Sequence, residues 1–176
     1  AADLLEPNLV FDRIIVTTGL LHNSNISPEK SLQALDEESF MEVMRVNALG
    51  PINVAKYFVP KLARDKKSIF AALSARVGSI GDNQLGGWYS YRASKAALNM
   101  LIKNLSIEYR RRHKNMIFLG LHPGTVKSAL SAPFMGNSKN YKVFKPSFAA
   151  EKLVSVIEHS TTEQSGCILD WKGEII

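Results

Sequence analysis

Residues 89–98 read "YSYRASKAAL" and set a tyrosine, Tyr91, four places ahead of a lysine, Lys95. On a helix, positions i and i+4 share a face, so the phenol and the ammonium can stand side by side; Tyr89 cannot share that face with Lys95. A cation next to a phenol favours the phenolate. The spacing therefore predicts a tyrosine whose pKa is drawn down toward the range in which it exchanges protons near neutral pH. The same spacing also suits the start of an ordinary amphipathic helix, and only the surroundings separate the two readings. Metal and thiol chemistry are poorly provided for. The single Cys167 excludes an internal disulfide framework and a cysteine-rich metal site, and His22, His113, His122 and His159 show none of the short metal-binding spacings. No metal is expected.

Elements that could position the pair follow from hydrophobic periodicity. The β-branched run "RIIVTT" at 13–18 ends at Gly19 and predicts a buried strand. Residues 36–64 carry acids at the front, apolar residues at helical spacing and bases at the back, which predicts a long helix; Pro51 should bend or interrupt it near Asn47 to Gly50. Strands are predicted at 68–74 and 115–121 on either side of a second long helix at 94–112, which the tyrosine turn extends back to 89. A helix over 147–159, capped by Ser147, and a last strand at 167–170 complete the order. Strands separated by helices imply a doubly wound, mostly parallel α/β sheet, with the ligand beyond the carboxyl ends of the strands. Between them, 125–146 is rich in Ser, Pro, Asn and Lys and reads as a flap over such a site, with Phe134, Met135, Tyr141 and Phe144 either lining a pocket or packing.

At 176 residues and 45% hydrophobic content the chain suits one well-buried domain and is short of two. The net charge of +6 is spread along the chain. Its one dense run, Arg110, Arg111, Arg112, His113 and Lys114, falls at the carboxyl end of a predicted helix, where cations complement the dipole. No stacking platform accompanies it, so no nucleic-acid partner is expected. No apolar run reaches the length of a membrane span and the start shows no targeting pattern, so no membrane partner is expected either. With one cysteine, a reducing cytoplasmic setting fits best.

Taken together, "YRASKAALNM" at 91–100, a strand ending in Ser74, Asn47 in the proline-interrupted helix and Pro123-Gly124 after the next strand resemble the short-chain dehydrogenase/reductase family. The resemblance runs from about Phe11 to Ile176 and is strongest to its carbonyl-reductase and C-factor-like members, with "DWKGE" at 170–174 resembling their carboxyl-terminal signature. It implies a Rossmann-like fold, a nicotinamide cofactor, NAD(P), and a small-molecule carbonyl or alcohol as substrate. It also implies an active site of Asn47, Ser74, Tyr91 and Lys95. Tyr91 would exchange the proton and Lys95 would lower its pKa and hold the nicotinamide ribose. Ser74 would hold the substrate oxygen, and Asn47 would leave a backbone carbonyl free for a water. Ser79 is the alternative serine; Ser74 closes the strand, whereas Ser79 has already left it.

The resemblance further places Gly19, Pro123, Gly124, Val126 and Ser128 against the cofactor, Ser128 standing where the family has a threonine. In the turn after the first strand, Val16-Thr17-Thr18-Gly19 keeps only the glycine of the family's Asn-Asn-Ala-Gly. The glycine-rich turn that cradles the pyrophosphate has no counterpart, so the amino-terminal half of the fold is expected to be missing from these residues, Ala1 to Leu4 being a remnant. A homodimer or homotetramer is expected, paired through helices 36–64 and 89–112, with Val54, Tyr57, Phe58, Leu98, Leu101 and Leu105 among their apolar positions. The alternative function is a non-catalytic relative that uses the scaffold for binding or signalling.

Overall fold

The computed structural model describes residue 6, residues 8–135 and residues 142–176. Four strands form a parallel sheet in the order β1-β2-β3-β6: β1 (Arg13–Val16), β2 (Ser68–Leu73), β3 (Met116–His122) and β6 (Ile168–Asp170). The pairing runs Arg13 to Ile69, Ser68 to Met116 and Gly120 to Ile168 at the first registered positions. The connections carry α1 (Glu37–Met44) and α2 (Gly50–Phe58) after β1, α3 (Tyr89–Arg110) after β2, and α4 (Pro146–His159) after β3. This is the doubly wound α/β arrangement that the sequence predicts.

The period of two in the strands decides which helix covers which side chain. Phe70 and Ala72 of β2, Met116 and Phe118 of β3 and Ile168 of β6 face α2 and α3, where they meet Ala55, Val59, Leu98 and Ile102. Ile69 and Ala71, Ile117, Leu119 and Leu121, and Leu169 face the other way, onto Leu153 and Ile157 of α4. Each fully buried Phe, Leu or Ile contributes about 1.5–3 kcal/mol relative to exposure. On the α4 side the cover stops short of β1, and Ile15 stays 43% exposed.

The long helix predicted over 36–64 is four pieces: α1, a π turn, α2 and a 3-10 turn at Val59–Lys61. Asp36 caps the first, accepting from the Ser39 amide at 2.8 Å, and Glu37 and Glu38 fill the first turn. The same Ser39 bonds hold the Asp36 carboxyl below its usual pKa. Between α1 and α2 the ladder widens into a π turn over Arg45–Leu49, in which the Gly50 amide donates to Arg45 O. Pro51 follows directly, the second residue of α2, and has no N–H to give the ladder there. The interruption expected near Asn47 to Gly50 is thus a widened turn just ahead of the proline.

Two other expectations change. Helix α4 starts at Pro146 with Lys145 before it, so Ser147 lies inside the first turn and does not cap. The flap contains β4 (Thr125–Val126) and β5 (Val143–Phe144), a short parallel pair, and a 3-10 turn at Ala132–Phe134. Of the helix positions expected to offer a second apolar face, Tyr57 is exposed, whereas Leu98 is fully buried and Val54 and Leu105 pack on the core. No helix among the described residues is long and apolar enough to cross a membrane.

Candidate active site

Tyr91 and Lys95 lie on one face of the first turns of α3, at the carboxyl edge of the sheet. The Lys95 ammonium sits 5.7 Å from the Tyr91 ring centroid and donates to Leu73 O, at the end of β2, at 2.8 Å. Only 3% of Lys95 is exposed, and that burial lowers its pKa to about 8. Burial acts on the half-buried phenol in the opposite sense and pushes Tyr91 up to about 12. The expectation of a depressed tyrosine pKa is therefore corrected for this structure. Spacing brings the cation close, but desolvation disfavours the charged form of both groups and decides the direction.

Asn47, fully buried in the π turn, works through its side chain. Its Oδ1 accepts from the Leu20 amide and its Nδ2 donates to Leu20 O, both at 2.7 Å, and Nδ2 also donates to Ser94 Oγ at 3.0 Å. Ser94 passes the link on by donating to Tyr91 O at 2.8 Å. The amide thus ties the turn after β1 to the helix that bears the tyrosine, a task not read from the sequence. Gly19 completes this floor: a Cβ there would stand 3.7 Å from both Asn47 Oδ1 and Lys95 Nζ. The exposed glycine therefore lies directly beside the buried ammonium.

Ser74 closes its strand as expected, and its hydroxyl has a partner within the chain. It follows β2 directly, and its amide donates to Leu121 O at 2.8 Å, but its hydroxyl, on a residue 4% exposed, donates to Asn99 Oδ1 at 2.5 Å. Asn99 lies one turn beyond Lys95 on the row that starts at Tyr91. Ser79 closes the short turn Arg76–Gly78, its amide donating to Arg76 O at 2.9 Å. Neither serine hydroxyl bonds the Tyr91 phenol among the described residues.

The other wall leaves the end of β3. Gly124 has φ +74°, and a Cβ there would come within 2.6 Å of the Phe144 ring, so both backbone and space demand glycine. Val126 pairs with Phe144, and Ser128 is exposed, its amide donating to Ser131 Oγ at 3.2 Å. Pro123, Gly124, Val126 and Ser128 thus line one continuous run out of the sheet. Of the flap aromatics, Phe144 is packing, buried against Phe148 and Trp171 at ring separations of 4.9 and 4.7 Å. Phe134 reaches toward the site: its ring lies 5.0 Å from Trp88, which lies 6.2 Å from Tyr91, and His22 meets Phe134 from the far side at 5.5 Å. Tyr141 and residues 1–4 fall outside the described residues.

Sequence reasoning passed over Ser94, Asn99, Trp88 and His22. Three carry a signal, since Trp88 and Ser94 are each three residues from Tyr91 and Asn99 is four from Lys95; His22 arrives only through the fold. His122, the last residue of β3, has a buried Nδ1 without a partner, and burial, with Arg76 nearby, lowers its pKa to about 4. A cavity of about 590 Å³ between α4 and the segment after β6 is lined by Lys152, His159 and Trp171 and contains neither Tyr91 nor Lys95. No group of three His, Cys, Asp or Glu able to hold a metal occurs among the described residues.

Comparison with known proteins is consistent with this geometry. A family model described as short chain dehydrogenase matches residues 11–138. A 1-hydroxy-2-glutathionyl-2-methyl-3-butene dehydrogenase of Rhodococcus sp. strain AD45 is 32% identical over 166 residues, covering 94% of this chain and 68% of that protein. The C-signal of Myxococcus xanthus is 30% identical over 155 residues, covering 88% of each. Among solved structures, an NADPH-bound carbonyl reductase from chicken fatty liver matches with a TM-score of 0.81 at 25% identity, over 96% of this chain and 66% of that one. The carbonyl reductase Sniffer of D. melanogaster matches with a TM-score of 0.82 at 22% identity, over 97% and 67%. The chain spans about two thirds of the length of the dehydrogenase and of both carbonyl reductases.

Proposed function

The chain belongs to the short-chain dehydrogenase family, and from that premise we propose an oxidoreductase that moves a hydride between a nicotinamide cofactor, NAD(P), and a carbonyl or alcohol. The observation that carries this reading is the Tyr91–Lys95 face at the carboxyl edge of the sheet, with Gly19 beside the ammonium. Gly19, Tyr91 and Lys95 on one side, with Pro123, Gly124, Val126 and Ser128 on the other, would hold the cofactor. When bound, it supplies or accepts the hydride at the substrate carbon.

The remaining chemistry belongs to the chain. In reduction the carbonyl electron pair moves onto oxygen, and Tyr91, kept protonated by burial, gives that oxygen its proton. The phenolate left behind is stabilised by the Lys95 ammonium, and a proton must return to it before the next turnover. A pKa near 8 lets Lys95 take part in that return close to physiological pH. Oxidation of an alcohol runs the same path backwards. Asn47 holds the turn after β1 against α3 and so fixes Gly19 relative to Lys95. Ser74 contributes to binding the substrate oxygen only if its hydroxyl gives up Asn99. We read residues 1–176 as one Rossmann-like unit, acting in a reducing cytoplasmic setting as a homodimer or homotetramer.

The test is oxidation of NADPH and NADH by the full-length protein with a panel of aldehydes and ketones, followed at 340 nm. Turnover of at least one carbonyl is expected. A protein that binds either cofactor yet turns over none of the panel would overturn the catalytic reading in favour of a binding role.

A further inference from the structure

Helix α3 carries both Tyr91 and Lys95, yet its own sequence gives it no start. The residue before it, Trp88, has φ +50° and ψ +45° and supplies no side-chain cap, and Gly86 and Gly87 before it have φ +62° and +61°. Three consecutive left-handed residues turn the chain sharply into the helix, and for tryptophan that conformation is strained. The missing cap comes from 61 residues away. Glu29, in the segment between β1 and α1, is 5% exposed. Its carboxylate accepts from the Ser90 amide at 3.3 and 3.2 Å through its two oxygens, and from the Ser90 hydroxyl in a short bond. Its backbone carbonyl takes the Trp88 amide. A Cβ at residue 87 would come within 3.2 Å of that same carbonyl, so the two segments are in close backbone contact.

A side-chain oxygen that accepts the second amide of a helix is the usual office of the capping residue, and a carboxylate there also meets the positive end of the helix dipole. Burying an acid is costly unless it is hydrogen-bonded, and both oxygens of Glu29 are spent on one residue, Ser90, next to Tyr91. We infer that Glu29 is a positioning residue for the proposed reaction: from the β1–α1 connection it fixes the first turn of α3, and with it the place of the Tyr91 phenol. It touches neither Tyr91 nor Lys95 through its carboxylate and acts through Ser90. The inference rests on the oxidoreductase reading for its kinetic consequence, but not for its structural one.

Both consequences can be measured on the full-length protein with Glu29→Ala and Glu29→Gln. Gln keeps an acceptor oxygen and the side-chain length. Amide hydrogen exchange should show faster exchange at Ser90, Tyr91 and Arg92 in Glu29→Ala than in wild type, with 98–106 unchanged and Glu29→Gln in between. Carbonyl reduction should show kcat reduced about a hundredfold in Glu29→Ala, KM for cofactor within about twofold of wild type, and most of kcat recovered in Glu29→Gln. Unchanged exchange at 90–92 in Glu29→Ala would overturn the cap. Faster exchange with kcat unaltered, or with Gln no better than Ala, would reduce Glu29 to a stabilising contact and overturn the positioning role. If wild type itself reduces no carbonyl, the oxidoreductase reading fails separately, and with it the kinetic role, while the exchange comparison still decides whether Glu29 caps the helix.

Discussion

The two walls of the candidate site are built by different means. On the α3 wall the polar side chains around the Tyr91 phenol have partners inside the protein: Asn47 to Leu20 and Ser94, Ser94 to the Tyr91 backbone carbonyl, Lys95 to Leu73, Ser74 to Asn99. Immediately behind them Leu98 and Ile102 are fully buried against the sheet. The β4–β5 wall is a pair of two-residue strands, a 3-10 turn and an exposed Phe134, joined to the α3 wall through the ring contacts of Phe134 with Trp88 and His22. The difference teaches where each kind of precision is kept. On the proposed reading, proton transfer, which needs atoms held to a fraction of an ångström, falls to the bonded wall, and the flap wall is the one left to adjust to what binds.

Substitutions should separate the walls by the kinetic constant they change. Tyr91→Phe keeps the ring and removes only the proton donor. It should lower kcat for carbonyl reduction by about a hundredfold to ten-thousandfold with cofactor affinity nearly unaltered; activity within a few-fold of wild type would remove Tyr91 from the chemistry. Lys95→Ala should also lower kcat strongly, and in addition weaken cofactor binding, read by quenching of protein fluorescence on titration with NADPH. Unaltered affinity would count against a cofactor contact at Lys95. On the opposite wall, Phe134→Ala should raise KM for apolar carbonyls by roughly tenfold while kcat changes little, as expected when uniform binding is lost. A fall in kcat with constant KM would mean that the flap helps to order the reacting atoms. Ser74→Ala should be the mildest, within a few-fold in kcat, because its hydroxyl serves Asn99; a loss comparable to that of Tyr91→Phe would show that the bond to Asn99 opens during turnover.

The walls should also differ in their response to pH. Lys95 has a folded pKa near 8 against 10.5 unfolded, and His122, where the flap wall begins, has one near 4 against 6.5. In each window the unfolded chain binds the extra proton, so stability rises with pH across it and is lost as pH falls through it. Lys95→Met should flatten the rise between about pH 8 and 10.5, and His122→Asn the rise between about pH 4 and 6.5, in urea titrations at stepped pH. Either substitution flattening the other's window would mean that burial of the wrong group had been held responsible.

Much of this was legible along the chain, because strands and helices announce themselves through local period. Residues 13–18, 68–74 and 115–121 predict strands that the structure places at β1, β2 and β3, and the Tyr91–Lys95 pairing needs only helical geometry. The pKa of Tyr91 was not legible. Spacing places a cation nearby but says nothing of how much water is excluded from both groups. The partner of Ser74 was hidden for a related reason: the residue does close its strand, yet which way the hydroxyl turns depends on Asn99, which only the packing of α3 on β2 brings there. The β4–β5 pair escaped because two-residue strands have no period to detect.

The π turn over Arg45–Leu49 makes the connection between β1 and β2 unequal in its tolerance of change. A π turn takes up an extra residue by widening the helix locally. Here the widened turn carries Asn47 inward while Leu49 remains 51% exposed. Substituting Arg45 or Leu49 alters one exposed side chain. Deleting either would narrow the turn and draw Asn47 off the Leu20 backbone and Ser94. Side-chain chemistry at these two surface positions is thus free to vary, whereas the count of residues between Met44 and Gly50 is tied to a leucine and a serine distant from them in sequence.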